Sequence, residues 1–192
     1  GSLSQILRQT PAVDAIARAH RDGGAVIALV GAHVVKCGLT PILCDLVRRK
    51  IVTAIALNGA GAIHDFELAR WGETSENVDD TLVEGTFGLV EETGREMNAL
   101  FEKGAERGLG MGEALGEGLV AGRAAHAGDS LLATGHEAGV PVTVHVAIGT
   151  DVIHQHPTAR GDVIGRLSME DFRILAAAVA DLDARGVVLN LG

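Results

Sequence analysis

The sequence is short of positive charge. Lys and Arg number 16 against 25 Asp and Glu, for a formal net charge of -9, whereas a nucleic acid or an anionic membrane surface requires clustered cations. Neither is expected as a partner. No apolar run approaches the roughly 18 to 20 residues of a membrane span, and no charged-then-apolar leader opens the chain. A cytoplasmic protein is expected. Cysteine is scarce as well: Cys37 and Cys44 lie seven residues apart on one turn-and-helix segment, too far along a helix to bridge without distortion. Reduced thiols suit the same compartment. The GxGxxG fingerprint, HExxH and CxxC are all missing, and lysine occurs only at 36, 50 and 103. There is no initiator Met; Gly1-Ser2 reads as a remnant of expression cloning that hides the natural start.

What is present suffices for one domain over residues 1–192. With 47% hydrophobic residues the chain can bury one substantial core. Residues 25–66 read as strand, glycine turn, helix, strand, glycine turn. The apolar run 25–30 is broken by Gly31. Thr40 is expected as the N-cap of the next helix, with Pro41 in its first turn and Ile42, Leu43, Leu46 and Val47 on its buried side. Ile51 is expected to begin the second strand. Strands apolar on both faces belong to a sheet covered by helices on both sides. The fold class is therefore α/β, in three layers around a mostly parallel sheet.

Each glycine turn falls at the carboxyl edge of such a sheet. In the first, Gly31, Ala32, His33 and Lys36 precede a helix that offers free N–H groups to an anion. Lys36 reads equally as a phosphate contact or a solvated cation. In the second, Asn58, Gly59, Ala60 and Gly61 strip side chains from the mouth of the strand, while His64 and Asp65 flank the gap. The other reading of Asp65 is a carboxylate on the dipole of its own helix.

Further along, the acidic run 73–80 reads as a solvated loop, with a helix cap or a segment reaching over a site as the other readings. A long helix is expected over 87–107, with Glu91 and Arg95 as an i,i+4 pair. Residues 104–139 form a glycine-rich helical segment, expected as short, closely packed helices with one over 130–137. Strand character returns at 140–148. His145, Asp151, His154 and His156 then fall within twelve residues, and these four are the ligands of an alternative metal site, His154 and His156 sharing one side of an extended chain. Ser168 and Asp171 approximate a capping box opening the last helix, whose buried stripe is Phe172, Leu175, Val179 and Leu182. Residues 187–191 make another core strand.

The two turns carry a resemblance. Residues 31–38 align without gaps with the T-S-N-L-V-S-S-G turn of deoxyhypusine synthases, and 57–65 with that family's T-T-A-G-G turn and following acidic residues. The resemblance implies the NAD-binding fold shared distantly with sirtuins, NAD as cofactor, a homotetramer, and a chain that continues beyond Gly192. It also implies that Asp151 matches a family aspartate that contacts the substrate amine. The family's adjacent glutamates, however, fall on Ile63 and His64, and its catalytic lysine has no match here. An imidazole and an alkyl group do not neutralise an ammonium as two carboxylates do, so deoxyhypusine synthesis itself is not expected.

Three readings follow. The first is a deoxyhypusine synthase-like, NAD-binding enzyme for a small polar or cationic substrate, with His64, Asp65, Asp151 and His154 as acid-base and orienting groups. Its cofactor contacts are Gly31, Ala32, His33, Lys36, Asn58, Gly59, Ala60 and Gly61. The second is a metal-assisted hydrolase or lyase using His145, Asp151, His154 and His156. The third is a non-catalytic binding or assembly module.

Overall fold

Asp22-Gly23-Gly24 follows the first described helix, α1 (Pro11–Arg21), and Gly23 takes the left-handed φ of 70° at its end. The computed structural model describes residues 11–74 and 91–192. After α1 come β1 (Val26–Val30), a short α2 (Ala32–Lys36), α3 (Thr40–Arg48), β2 (Ala54–Asn58) and α4 (Gly59–Trp71). The second half supplies α5 (Glu91–Arg107), α6 (Met111–Ala121), α7 (Leu131–Ala138), β3 (Val142–His145), α8 (Gly161–Ala180) and β4 (Val187–Leu191). Short 3-10 turns lie at Ala127–Asp129 and Val152–Gln155. The predicted helix over 87–107 is described from Glu91 onward, and residues 75–80 of the acidic run lie outside the described residues.

The described strands form one sheet, order β3-β2-β1-β4, with every neighbouring pair parallel. Val26, Ile27 and Ala28 are consecutive and all fully buried. Successive strand residues face opposite sides, so β1 is covered by helices on both faces, as an α/β sheet requires. The chain lays down β1, β2 and β3 in one direction and then returns to the far side of β1 for β4. Strand order therefore reverses between β1 and β4, at the carboxyl edge. Among the described residues no helix is long and apolar enough to cross a membrane.

Several local expectations are corrected. Thr40 is not the N-cap of α3: Leu39 holds that position without a side-chain bond, and Thr40 is buried in the first turn. The second strand begins at Ala54 rather than Ile51, because the Ile51 and Val52 amides bond back to the Leu46 carbonyl as α3 unwinds. The last helix starts at Gly161, not Ser168. Val163, Ile164 and Leu167 are its buried side, while Phe172 and Val179 are 59% and 48% exposed. Nor is 187–191 a core strand: β4 is an edge, alternately half-buried and exposed, with Val188 at 50%.

The glycine-rich segment is explained by close packing. A Cβ on Gly104 would sit 2.6 Å from the Ala114 Cβ, drawing α5 onto α6, and one on Gly112 would overlap the Val142 carbonyl oxygen at the outer edge of β3. Gly135 similarly lets α7 approach Val142. Gly112→Ala is expected to force α6 off β3 and to destabilise the fold by about 3 kcal/mol, the upper end of the usual cost of overpacking. Urea unfolding followed by circular dichroism checks this.

The start of α6 is capped from another element. Gly110 occupies its N-cap position with no side chain to offer, and Asp171 of α8 places a carboxylate there instead, accepting from Gly112 N at 3.2 Å and from the β3 edge amide Val144 N at 2.7 Å. One carboxylate thus joins α8, α6 and β3. Its Oδ1 is buried without a partner, and burial pushes the Asp171 carboxyl up to about 7 against the pull of the amides.

Candidate functional site

Because the sheet is parallel, the residues that follow its strands meet at one rim. Val30 pairs with Leu57 on one side and Leu191 on the other, and Asn58 pairs with His145. The two glycine corners are direct neighbours there: a Cβ on Gly61 would lie 3.7 Å from the Ala32 Cα. A Cβ on Gly31 would lie 3.0 Å from the Gly192 carbonyl carbon, so the missing side chain admits the end of β4 to the first corner. Beside these corners is a hollow of about 310 Å³, lined by Gly31, Asn58, His145, Leu175, Asn190 and Gly192 among others.

The hollow's polar groups are neutral amides and an imidazole. Asn58 is the N-cap of α4, its Oδ1 accepting from Gly61 N at 2.7 Å, which leaves its amide N–H groups for a ligand. His145 Nε2 lies 2.9 Å from the Thr143 hydroxyl, and that hydroxyl donates to the Ile55 carbonyl at 3.3 Å. In that arrangement the ring donates through Nε2–H and keeps Nδ1 as a free acceptor. Burial lowers the His145 pKa, which favours this neutral form. No Asp, Glu, Lys or Arg is part of the lining.

Of the expected cofactor contacts, Gly31 and Asn58 line the hollow; Ala32, His33, Lys36, Gly59, Ala60 and Gly61 do not. His33 and Lys36 project from α2 into solvent. Gly59, Ala60 and Gly61 form the first turn of α4, which follows β2 without an intervening loop.

The expected acid-base groups separate. Asp151 lies at the rim, 6% exposed, its Oδ2 accepting from Ala147 N at 2.8 Å. A Cβ on Gly59 would overlap its carboxylate, so that carboxylate rests directly on the first residue of α4. His154 follows one 3-10 turn later, its amide donating to the Asp151 carbonyl. Both its ring nitrogens are buried without a partner, and burial lowers its pKa while Asp151 pulls the other way. His64 points elsewhere, with Nδ1 3.3 Å from Glu67 Oε2, and Glu67 Oε1 accepts from the Thr93 hydroxyl.

Asp65 faces the interior and not the rim. It is 1% exposed and accepts from Ser130 Oγ at 2.6 Å, Leu131 N at 2.9 Å and Leu132 N at 3.1 Å. Its carboxylate caps α7, not the start of its own helix, with burial raising its pKa and those three bonds lowering it. It is not part of the hollow's lining.

The four residues of the metal alternative do not converge. Residues 152–155 form a 3-10 turn rather than an extended chain, so His154 and His156 are not held on one side as expected. His156 Nδ1 is engaged by Thr158 at 2.8 Å, and His145 by Thr143. Among the described residues no group of three His, Cys, Asp or Glu is arranged to hold a metal ion. Cys37 and Cys44 are unpaired, one exposed and one buried.

Asn190, Leu175 and Gly192 were not among the residues assigned to the site from the sequence. A signal for Asn190 existed, since Ala56-Leu57-Asn58 and Val188-Leu189-Asn190 are both apolar runs ending in asparagine. Leu175 comes from a helix whose register only packing reveals.

No protein-family model matches the chain, and no curated protein matches it in sequence. Among solved structures it is similar to a protein described as a putative deoxyhypusine synthase from Entamoeba histolytica, with a TM-score of 0.52 and 12% identity over 82% of this chain. The chain spans about half that protein's length, 55%. What the likeness shows is a distant relationship of fold: a parallel α/β architecture like that of the protein so described.

Proposed function

We propose that the chain is a nucleotide-binding α/β domain, with NAD as cofactor, serving an enzyme that acts on a small polar substrate. The observation that carries this reading is the pairing of two side-chain-poor corners, Gly31 with Gly192 and Asn58 with Gly59 to Gly61, at the carboxyl rim where strand order reverses. Crevices at that position suit nucleotides. The residues fit such a ligand: Asn58, Asn190 and the free Nδ1 of His145 offer donors and acceptors to a heterocycle or its carboxamide, while Leu175 supplies an apolar wall. Bound there, NAD would supply hydride acceptance. His145 is the ionisable side chain at the hollow, and Asp151 lies at the rim beside it, with His154 one 3-10 turn further on.

Deoxyhypusine synthesis is not part of this reading. Ile63, at one of the family's glutamate positions, is a 4% exposed core residue. Lys50 is tied to the Ala138 carbonyl, Lys103 lies on the cleft between α5 and α6, and Lys36 is solvent-facing. The homotetramer implied by the resemblance stays part of the proposal; Phe172, Val179 and Val188 expose apolar surface on α8 and β4 that a subunit contact would cover.

Calorimetric titration with NAD tests the proposal. Asn190→Leu fills the hollow from an exposed edge position and is expected to weaken binding at least about tenfold, the equivalent of roughly 1.4 kcal/mol. Absence of NAD binding to the unaltered protein, or binding indifferent to Asn190→Leu and His145→Ala, would refute it.

A further inference from the structure

We infer that Asp151 is a specificity residue that keeps phosphate off the N-terminus of α4, so that the rim receives its ligand by the uncharged part. This rests on the nucleotide reading for its ligand class, but not for its geometry. A helix of thirteen residues directed at a sheet rim ordinarily offers its first amides to an anion. In this protein the position is taken. Asn58 Oδ1 already accepts from Gly61 N, and the Asp151 carboxylate is packed so tightly on Gly59 that no side chain fits between them. That carboxylate is 94% removed from solvent, its exposure being 6%, and Oδ2 is held by Ala147 N.

An approaching phosphate would meet a fixed negative charge in a poorly hydrated setting, where repulsion is screened little. The adjoining hollow has the opposite character: its lining holds amides, an imidazole and small or apolar groups, and no charged side chain. Together the two features sort a ligand's parts. The heterocycle or sugar is accepted at Asn58, His145 and Asn190, and a phosphate is turned away from Gly59. The backbone around Asp151 is set for this by a tight loop, in which Gly149 adopts a φ of 94° and the Thr150 and Asp151 amides both bond to the Ala147 carbonyl.

The experiment is an NMR titration of the full chain with inorganic pyrophosphate, following the amides of Gly59, Ala60 and Gly61, run beside the NAD calorimetry. Asp151→Asn keeps an acceptor for Ala147 N and removes the charge, and Asp151→Ser serves as a second variant should the first fold poorly. Exposed, Arg160-paired Asp162→Asn is the control for net charge. The inference requires pyrophosphate to shift those amides in the Asp151 variants with an affinity at least about tenfold above that of the unaltered protein, and the control to behave like the unaltered protein. Equal pyrophosphate affinity with and without the carboxylate overturns it. So does an equal gain in the Asp162 control. The two readings fail separately: loss of NAD binding sinks the nucleotide proposal, whereas the pyrophosphate comparison alone decides the role of Asp151.

Discussion

Asp65→Ala is expected to lower the unfolding free energy by about 4 kcal/mol, the range found when one member of a buried, hydrogen-bonded charge site is removed. The substitution orphans three donors at once: the Ser130 hydroxyl and the Leu131 and Leu132 amides at the start of α7. Those groups lie in a part of the core that also holds Leu131, Leu132 and Ala133, all at most 1% exposed, so water cannot replace the lost acceptor without opening α7. For a chain of this size such a loss corresponds to a fall in melting temperature of roughly 8 to 16 °C. Ser130→Ala, which removes one donor along with the N-cap bond to Ala133 N, is expected to cost only about 1 kcal/mol. Urea unfolding of both variants decides between this scaffold role and the catalytic role suggested by the sequence. Near-native stability in Asp65→Ala would return Asp65 to the candidate site.

The second large effect is on pH. Asp171 is fully buried, and its carboxyl is raised from an ordinary value near 3.8 to about 7 by burial. The folded state therefore holds the proton more tightly than the unfolded state. The stability associated with this group is complete below about pH 4 and is lost as pH rises through about 7, with a full swing of about 4 kcal/mol for a shift of some three units. Asp171→Asn keeps an oxygen to accept from Gly112 N and Val144 N and has nothing to ionise. Its stability relative to the unaltered protein is thus expected to improve by a few kcal/mol between pH 4.5 and pH 8, roughly the same swing read as a difference. Comparing the two proteins cancels the contribution of Asp65, whose pKa is raised in the same direction. A difference in urea midpoint that stays constant across that range would show that the Asp171 carboxylate remains ionised throughout.

These carboxylates also show where sequence reading stops. The strands around Val30 and Leu57 were legible because an unbroken apolar run between glycines has few other uses in a chain of this composition. Gly23 and Gly72, which follow helices with φ of 70° and 80°, are local in the same sense: the backbone geometry there is dictated by the residue that occupies it. The capping box read at Ser168 was local too, yet wrong. Asp171 does cap a helix, but the helix is α6, and the contact spans 59 residues of chain. Asp65 likewise belongs to a helix terminus 66 residues away. A carboxylate three places after a serine looks the same in sequence whether it turns back on its own helix or reaches across to another.

The candidate site divides in the same manner. Gly31 and Asn58 were found because one directly follows a strand and the other ends one, and a parallel sheet delivers both positions to one edge. Gly59 was noticed as a glycine, but the reason for it, the Asp151 carboxylate lying against its Cα, needed two segments brought together. His154 and His156 share a short stretch of sequence and still do not share a function, since a 3-10 turn points neighbours in different directions.

By itself, then, the sequence determined the class of fold, the order of its first elements and the sheet edge to which both glycine corners are delivered, because each depends on composition or on residues adjacent in the chain. Tertiary structure alone decided that Asp65 meets the start of α7 and Asp171 the start of α6, that Asp151 faces α4, that the last helix begins at Gly161 and that β4 is an edge. Each of those depends on which distant groups burial brings within hydrogen-bonding distance, and no local pattern records that.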